Sequence, residues 1–434
     1  MSSPLILREG EAPKPVQLPA DIALALAASR VVQVVRTERV DWWEVSTQKH
    51  IGVVNVGGQQ IVIEPKVEMN HLVFLMGYAR NPAFWRDDRV CLDADSNLPE
   101  ALADAFLRLT KTAVAQGLLK GYRAVEESLP VLRGRIREAD QLRRRWGRNL
   151  PLEIRYDEFT VDIPENQLLL AAVVRLLRTP GLGSRHRAAL HRVRTQFADV
   201  ALLTAGALPT WAPTRLNVRY QPALELADLI LKGRSFEQRV GGLLVTGYLF
   251  NMATIFEDFV VVALAEALKP YGGRTRRYDT YLDEAEQVRM KPDFVWLVDD
   301  RPVIVADAKY KAEKPSGLPN ADLYQLLAYC TVLGLDSGHL VYAKGNADAR
   351  EHVVSGSGTR LIAHALDLTL APIDLLATVR ELARRLVGES RMIRGEPPTS
   401  RLPELSASAR VRYSDLLDRL GSSGSVEVPF GGDS

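Results

Sequence analysis

In the stretch VIVADAKYK, residues 303–311, four apolar residues lead into Asp307 and Lys309, two positions apart. On a strand this spacing points both side chains to one face and Ala308 to the other. Asp293 follows Pro292 in the preceding strand-like run, VRMKPDFVWLV, and a turn at 299–301 would bring it alongside the Asp307 end. Two carboxylates and an ammonium at one sheet edge suit Mg2+ or Mn2+, which take oxygen ligands and keep several waters. A cation held there can polarise a phosphoryl oxygen and acidify a bound water. Lys309 would offset charge that develops on the phosphate. Glu257 lies beside the apolar face of a helix carrying Phe256, Val260, Ala263, Leu264 and Ala267, and is a candidate third carboxylate and metal ligand. Alone, an Asp-x-Lys on a strand is an ordinary surface ion pair, and a Glu on an amphipathic helix is ordinarily solvated. Their combination and order point to a metal-dependent nuclease.

Such residues need a scaffold. MATIFEDFVVVALAEALK has helical spacing, VRMKPDFVWLV and RPVIVADAKYK read as strands around VDDRP, NADLYQLLAYCTVLG is a helix and GHLVYAK a strand. The αββαβ order predicts a compact α/β domain. Upstream, IGVVNVGGQQIVIEPKV reads as two strands around Gly57-Gly58, and PEALADAFLRLTKTAVAQGLLKGY as a helix stopping near Gly121. Asp162 or Pro164 opens a helix to Leu177 whose apolar stripe is Leu168, Ala171, Ala172 and Leu176. Further helix is expected at 184–205 and 221–232, so the middle reads as mostly helical. The fold class is α/β, a multi-domain α+β chain. Its parts are an N-terminal mixed α/β domain (1–130), a basic segment and helical middle region (131–250), an α/β domain (251–388) and a mobile tail (389–434) with a short helix near 404–419.

Composition excludes more than it assigns. With 434 residues, 47% hydrophobic, 25% charged and a net charge of +2, the chain is an ordinary globular protein, so any nucleic-acid surface must be local. Arg133 to Arg148 is dense in arginine and contains Trp146. It is either a solvated helix face or hairpin, or a contact for phosphate or an acidic partner. Cys91 and Cys330 are far apart, which argues against a disulfide framework or a cysteine zinc site and favours a reducing cytoplasm. The first residues lack the pattern of a signal peptide, and no apolar run approaches the roughly 20 residues of a membrane span. A cytoplasmic protein without a membrane partner is expected. No GxxxxGK[ST] loop is present, so nucleotide hydrolysis would have to come from a partner.

The segment KPDFVW…VIVADAKYK resembles the PD-(D/E)xK nuclease signature, and Gln325 with Tyr329, one turn apart on the next helix, resembles the QxxxY element of its RecB-like branch. IVIEPKVEMNHLVFLMGYA, RYDEFTVDIPENQLLLAAVVRLL, YQPALELADLIL and GYLFNMATIFEDFV extend the likeness to the McrC family, the nuclease subunit of McrBC-type modification-dependent restriction systems, over residues 50–345. The resemblance implies a restriction-endonuclease-like C-terminal core, a mixed sheet flanked by helices, that cuts double-stranded DNA with Mg2+. It also implies a partner, an McrB-like AAA+ GTPase ring that recognises modified DNA and receives the N-terminal region. Asp293, Asp307 and Lys309 match the family's catalytic signature, Glu257 matches by position, and Gln325 and Tyr329 would help place the DNA and the site. Two other readings are a non-catalytic activator of an AAA+ NTPase that uses the nuclease fold to hold DNA, and a stand-alone repair nuclease. The intact Asp, Asp, Lys set favours the enzyme.

Overall fold

A computed structural model describes residues 4–47, 49–85, 97–146, 148, 150–203, 208–240, 243–276, 278–310, 319–343 and 350–390, with backbone alone at 84 and 234–240. The expected helix near 404–419 lies outside the described residues. The chain divides into two units, residues 1–263 with 367–377, and residues 264–366 with 378–434. Mixed α/β structure runs through both, and among the described residues no helix is long and apolar enough to cross a membrane.

The first unit is built on a five-stranded sheet with spatial order Leu5–Arg8, Gln59–Glu64, His50–Val56, Leu243–Asn251, Arg234–Val240. Only its first pair is parallel. The predicted Gly57-Gly58 hairpin turn is present with φ values of 55° and 90°, the positive-φ pair that matches the twist of flanking strands. Inward residues of these strands, Val54, Val56, Ile61, Ile63 and Val245, pack with Leu26 and Trp43. Helix Leu98–Val114 ends earlier than its pattern predicts, because Gly117 at φ 85° breaks it and Gly121 opens a strand. That strand, Gly121–Leu129, pairs with Leu152–Thr160, which also pairs with Arg135–Ile136, so the middle of the chain is less helical than expected. The period-two burial of Ile154 and Tyr156 is what makes EIRYDEFT a strand.

Helix α1, Pro164–Arg178, starts at the predicted Pro164 and buries Leu168, Ala172 and Leu176. Its buried face also takes in Leu169, Leu170 and Val173, while Ala171 is half-exposed, because helices Ser184–Gln196 (α2) and Gln221–Lys232 both pack on it. Helix α3, Met252–Leu268, contains the boundary between the units. Of its predicted face, Phe256, Val260, Ala263 and Leu264 are buried, joined by Phe259; Ala267 is not.

The second unit holds a mixed six-stranded sheet. Its spatial order is Arg274–Thr275, Phe294–Val298 (β1), Arg301–Lys309 (β2), Ser337–Ala343 (β3), Arg360–Leu366 (β4) and Arg350–Val353. β1 and β2 form the predicted hairpin, turning through Asp299 and Asp300 at φ 50° and 61°. β2, helix α4 (Asn320–Leu333) and β3 form a βαβ crossover, and β3 is parallel to both β2 and β4. Gly334 at φ 67° ends α4: its N–H reaches Thr331 O, and Leu335 N–H reaches Cys330 O at 2.9 Å. α4 packs tightly on β3, since a Cβ at Gly338 would sit 2.5 Å from Cys330 Sγ. Beneath α4, Val295, Leu297, Val305, Leu326, Cys330 and Leu340 form the core. Burying one such leucine contributes about 1.5–3 kcal/mol, so the seat of α4 on the sheet is well determined.

Candidate active site

β2 leaves this core at its charged end. Val303 to Ala306 are buried, and the strand carries Asp307 and Lys309 out along the face that α4 covers. Phe294 pairs with Ala306, and the Asp293 side chain just before it reaches Ala308, so its charge bears on Asp307. One Asp293 oxygen accepts the Ala308 N–H at 2.9 Å, which fixes this carboxylate to the strand. Lys309 Nζ forms an ion pair with Asp307 and donates to Gln325 Oε1 at 3.0 Å. Gln325 Nε2 in turn donates to Tyr329 Oη at 2.8 Å, and that hydroxyl donates to Lys291 O at 3.3 Å. Of the predicted residues, five are therefore brought together: Asp293, Asp307, Lys309, Gln325 and Tyr329. Glu257 is half-buried on α3, in the part of that helix that belongs to the first unit.

The electrostatics of this cluster are unbalanced. Burial, and then the neighbouring Asp293 charge, push the Asp307 carboxyl up to about 7 against the pull of Lys309. Burial draws Lys309 down, but Asp307, Asp293 and Asp322 outweigh it and its pKa is raised. The Tyr329 hydroxyl is likewise pushed up, by burial and by the two aspartates. The buried Asp307 Oδ2 atom is the one that meets Lys309 Nζ. Two adjacent carboxylates beside one lysine form a hard-oxygen pair whose repulsion a divalent cation would relieve. Among the described residues no three His, Cys, Asp or Glu side chains form a metal-holding group. The pair instead has the composition expected for Mg2+, which uses one or two carboxylates and fills its other positions with water and phosphate oxygens.

Asp322 and Tyr342 complete the surroundings and had not been singled out from sequence. Tyr342 Oη donates to Asp322 Oδ2 at 3.0 Å, and both side chains are buried. Asp322 stands one turn before Gln325 on α4, so helical spacing alone puts it on the site-facing side.

The arginine-rich run is folded into the sheet of Gly121–Leu129 and Leu152–Thr160. Arg133 stacks on Tyr156 at 3.9 Å, and Arg137 pairs with Glu126 at 3.0 Å and with Asp140. Arg143 pairs with Asp140 at 2.9 Å, while Arg144 and Arg145 converge on Glu153 at 3.4 and 3.2 Å. Trp146 is 87% exposed.

The fold and site can be set beside known proteins. No curated protein matches the chain. A chain of the refined half-complex from the tetradecameric assembly of Thermococcus gammatolerans McrB AAA+ hexamers with bound McrC is similar, with TM-score 0.55 and 19% identity over 88% of this chain and 100% of that one. At that identity the likeness is one of fold. A chain of the Thermococcus gammatolerans McrBC complex aligns over 61% of this chain and 88% of its own length, with 18% identity and TM-score 0.38. The family model described as McrBC 5-methylcytosine restriction system component matches residues 45–343, more than half of the sequence, and the chain therefore belongs to that family.

Proposed function

We propose that this chain is the McrC-like nuclease subunit of its system, hydrolysing phosphodiester bonds of double-stranded DNA with Mg2+, or Mn2+, alongside an McrB-like AAA+ GTPase ring. The observation that carries the reading is the cluster of Asp293, Asp307 and Lys309 at the end of one strand, continued by Gln325 and Tyr329. In this reading the ββαβ run of the second unit belongs to a PD-(D/E)xK core. Asp293 and Asp307 would hold the metal ion, which when bound supplies a polarised phosphoryl oxygen and an acidified water.

The chain's own residues do the rest. Asp293 is immobilised by the Ala308 N–H, so its carboxylate keeps a fixed direction without side-chain reorganisation. Lys309 is held charged between Asp307 and Gln325, positioned to offset negative charge on a phosphate oxygen. Gln325 and Tyr329 tie that ammonium back to the Lys291 carbonyl, so the lysine is anchored at both ends of its reach. The fold shared with a chain of an assembly of McrB hexamers with bound McrC supports a ring partner, and the exposed Trp146 on the arginine-rich module is a candidate contact for it.

The test is purification with its genomic neighbour and assay of nucleotide-dependent cleavage of methylated and unmethylated duplexes. Asp307→Asn should remove cleavage and leave partner assembly intact. Persistent cutting by that variant would overturn the enzymatic reading in favour of an activator that only holds DNA.

A further inference from the structure

Between Asn166 and Ala198 the sequence has six arginines, two histidines and no acid, in a chain whose net charge is only +2. The remainder is thus net acidic, and positive charge is concentrated on α1 and α2. The structure sorts these arginines into two groups. Arg175 donates to Leu231 O, and Arg187 donates to Leu177, Thr179 and Leu182 carbonyls, so both cap and join helices. Through Arg187 the first turn of α2 is pinned to the end of α1, which places Arg178 at the same end as Arg185. His186 points inward, between Glu100 and Asp104.

Arg178, Arg185, Arg192 and Arg194 are left, all exposed and, among the described residues, none paired to a carboxylate. Arg185 and Arg192 stand seven residues apart, two turns and roughly 10 Å along one outward face, with exposed Ala188 between them and His191 beside them. α2 buries only Leu190. A helix face that is merely solvated mixes signs, because (i, i+4) pairs stabilise it and like charges cost similar amounts. This face forgoes every such pair. The next acid, Asp199, comes after the helix has ended.

We infer that the outward face of α2, with Arg178, is a second nucleic-acid contact, gripping the phosphate backbone of duplex DNA outside the catalytic cluster. Charge complementarity selects the occupant. Duplex DNA carries one charge per about 1.7 Å of axis, so a row of guanidiniums on this scale faces several phosphates at once. Without an aromatic residue on the face to stack on bases, the contact reads backbone and not sequence. The choice of duplex DNA rests on the nuclease reading; the unpaired cationic face does not.

The test is binding of the full chain to a short, unmodified, fluorescein-labelled duplex, followed by anisotropy from about 50 to 200 mM salt. Arg178→Gln/Arg185→Gln/Arg192→Gln/Arg194→Gln should weaken binding about tenfold or more at low salt and reduce the slope of log K against log salt by about 3. A charge-matched control replaces Arg8, Lys232, Arg274 and Arg384, each paired to a carboxylate, and should leave the slope unchanged. If the quadruple variant fails to fold, the outward-facing double Arg185→Gln/Arg192→Gln should still lower the slope by about half as much. An unchanged slope overturns the inference, as does an equal loss in the control, which would reduce the effect to net charge. Loss of a protein partner with DNA binding intact would reassign the face to an acidic protein and overturn it too. If wild type fails to cut while the slope change persists, the nuclease reading falls and the surface stands.

Discussion

Asp307 and Glu153 are each 2% exposed, and they titrate in opposite directions. Glu153 receives the Ser128 hydroxyl at 2.7 Å and faces Arg144 and Arg145; that hydroxyl, and then the arginines, hold its carboxyl below the usual range against burial. Asp307 has one lysine, which meets its Oδ2 atom, and a second carboxylate beside it. The first arrangement is finished, since every charge has its counter-charge within the fold. The second is short of positive charge, and the deficit is what a bound cation would supply. Burial of an acid therefore says little about function until its compensation has been counted.

The sharpest way to break this comparison is to neutralise both acids. Asp307→Asn should take DNA cleavage to background while the thermal midpoint stays level or rises, because a buried charge and its repulsion with Asp293 are removed. Glu153→Gln should do the reverse, lowering the midpoint by several degrees and leaving strand cutting by the second unit intact. Mg2+ should raise the wild-type midpoint, by about 2.7 kcal/mol of stabilisation at a hundred times its Kd, and should not raise that of Asp307→Asn. A midpoint insensitive to Mg2+ in wild type would remove the cation from the argument.

Lys309→Ala comes next, with an expected loss of about 10²–10³-fold in cleavage rate, the range for deleting one preorganised group that meets transition-state charge. Lys309→Arg should recover little, because a planar guanidinium cannot occupy the point contact between Asp307 and Gln325. Full activity in the arginine variant would mean that net charge suffices and that the hydrogen-bonded geometry is incidental.

Much of this site was legible from the sequence because its spacings are local. Asp307 and Lys309 obey the strand period, Gln325 and Tyr329 the helix period, and the Asp299-Asp300 turn sets the register that delivers Asp293. The β1–β2 hairpin, α4 and β3 fall where apolar period and helix-ending glycine put them. What the sequence hid is compensation at a distance. Glu153 meets Ser128 across 25 positions, and Asp322 meets Tyr342 across 20, so neither pairing leaves a periodic trace. The Arg133–Arg148 run reads from the sequence either as a solvated face or hairpin or as a contact, and in the fold most of its arginines are engaged by Glu126, Asp140, Glu153 and Tyr156. No strand is expected from the sequence at Leu152–Thr160, which carries Glu153, because charged outward residues mask the alternation of Ile154 and Tyr156.

A third mode of burial extends the comparison. His339 on β3 and His364 on β4 are buried with ring nitrogens 3.1 Å apart, one N–H donating to the other ring. Burial is the first cause lowering both pKa values, followed by His364 and Arg360 for His339 and by Arg385 for His364, which falls to about 4. With the folded pKa below the unfolded 6.5, the unfolded chain binds the proton first, so stability is present above 6.5 and is lost as pH falls towards 4. For His364 alone this amounts to about 3 kcal/mol. Chemical denaturation of the chain at pH 7.5 and pH 5 (about those values), compared with His364→Gln, should show a steeper loss in wild type. Equal slopes would place the acid sensitivity elsewhere.

The smallest effect should come from Tyr329→Phe, and it separates positioning from folding. The hydroxyl receives the Gln325 amide at 2.8 Å and donates to the Lys291 carbonyl at 3.3 Å, so its removal leaves Gln325 with one acceptor fewer and loosens the far end of the Lys309 tether. A hydrogen bond of this kind contributes about 1 kcal/mol, which corresponds to roughly a fivefold slower cleavage step. The ring stays in the core formed with Leu326 and Leu333, so the thermal midpoint should move little. If Lys309 is held through Gln325, the loss should appear in kcat while KM for DNA stays near wild type, and Gln325→Ala should cost at least as much as Tyr329→Phe. Combining the two should add almost nothing, because both cut the same tether. Additive losses would mean that Tyr329 and Gln325 reach the reaction by separate routes, and that the chain of contacts from Lys291 to Lys309 is not the unit that positions the ammonium.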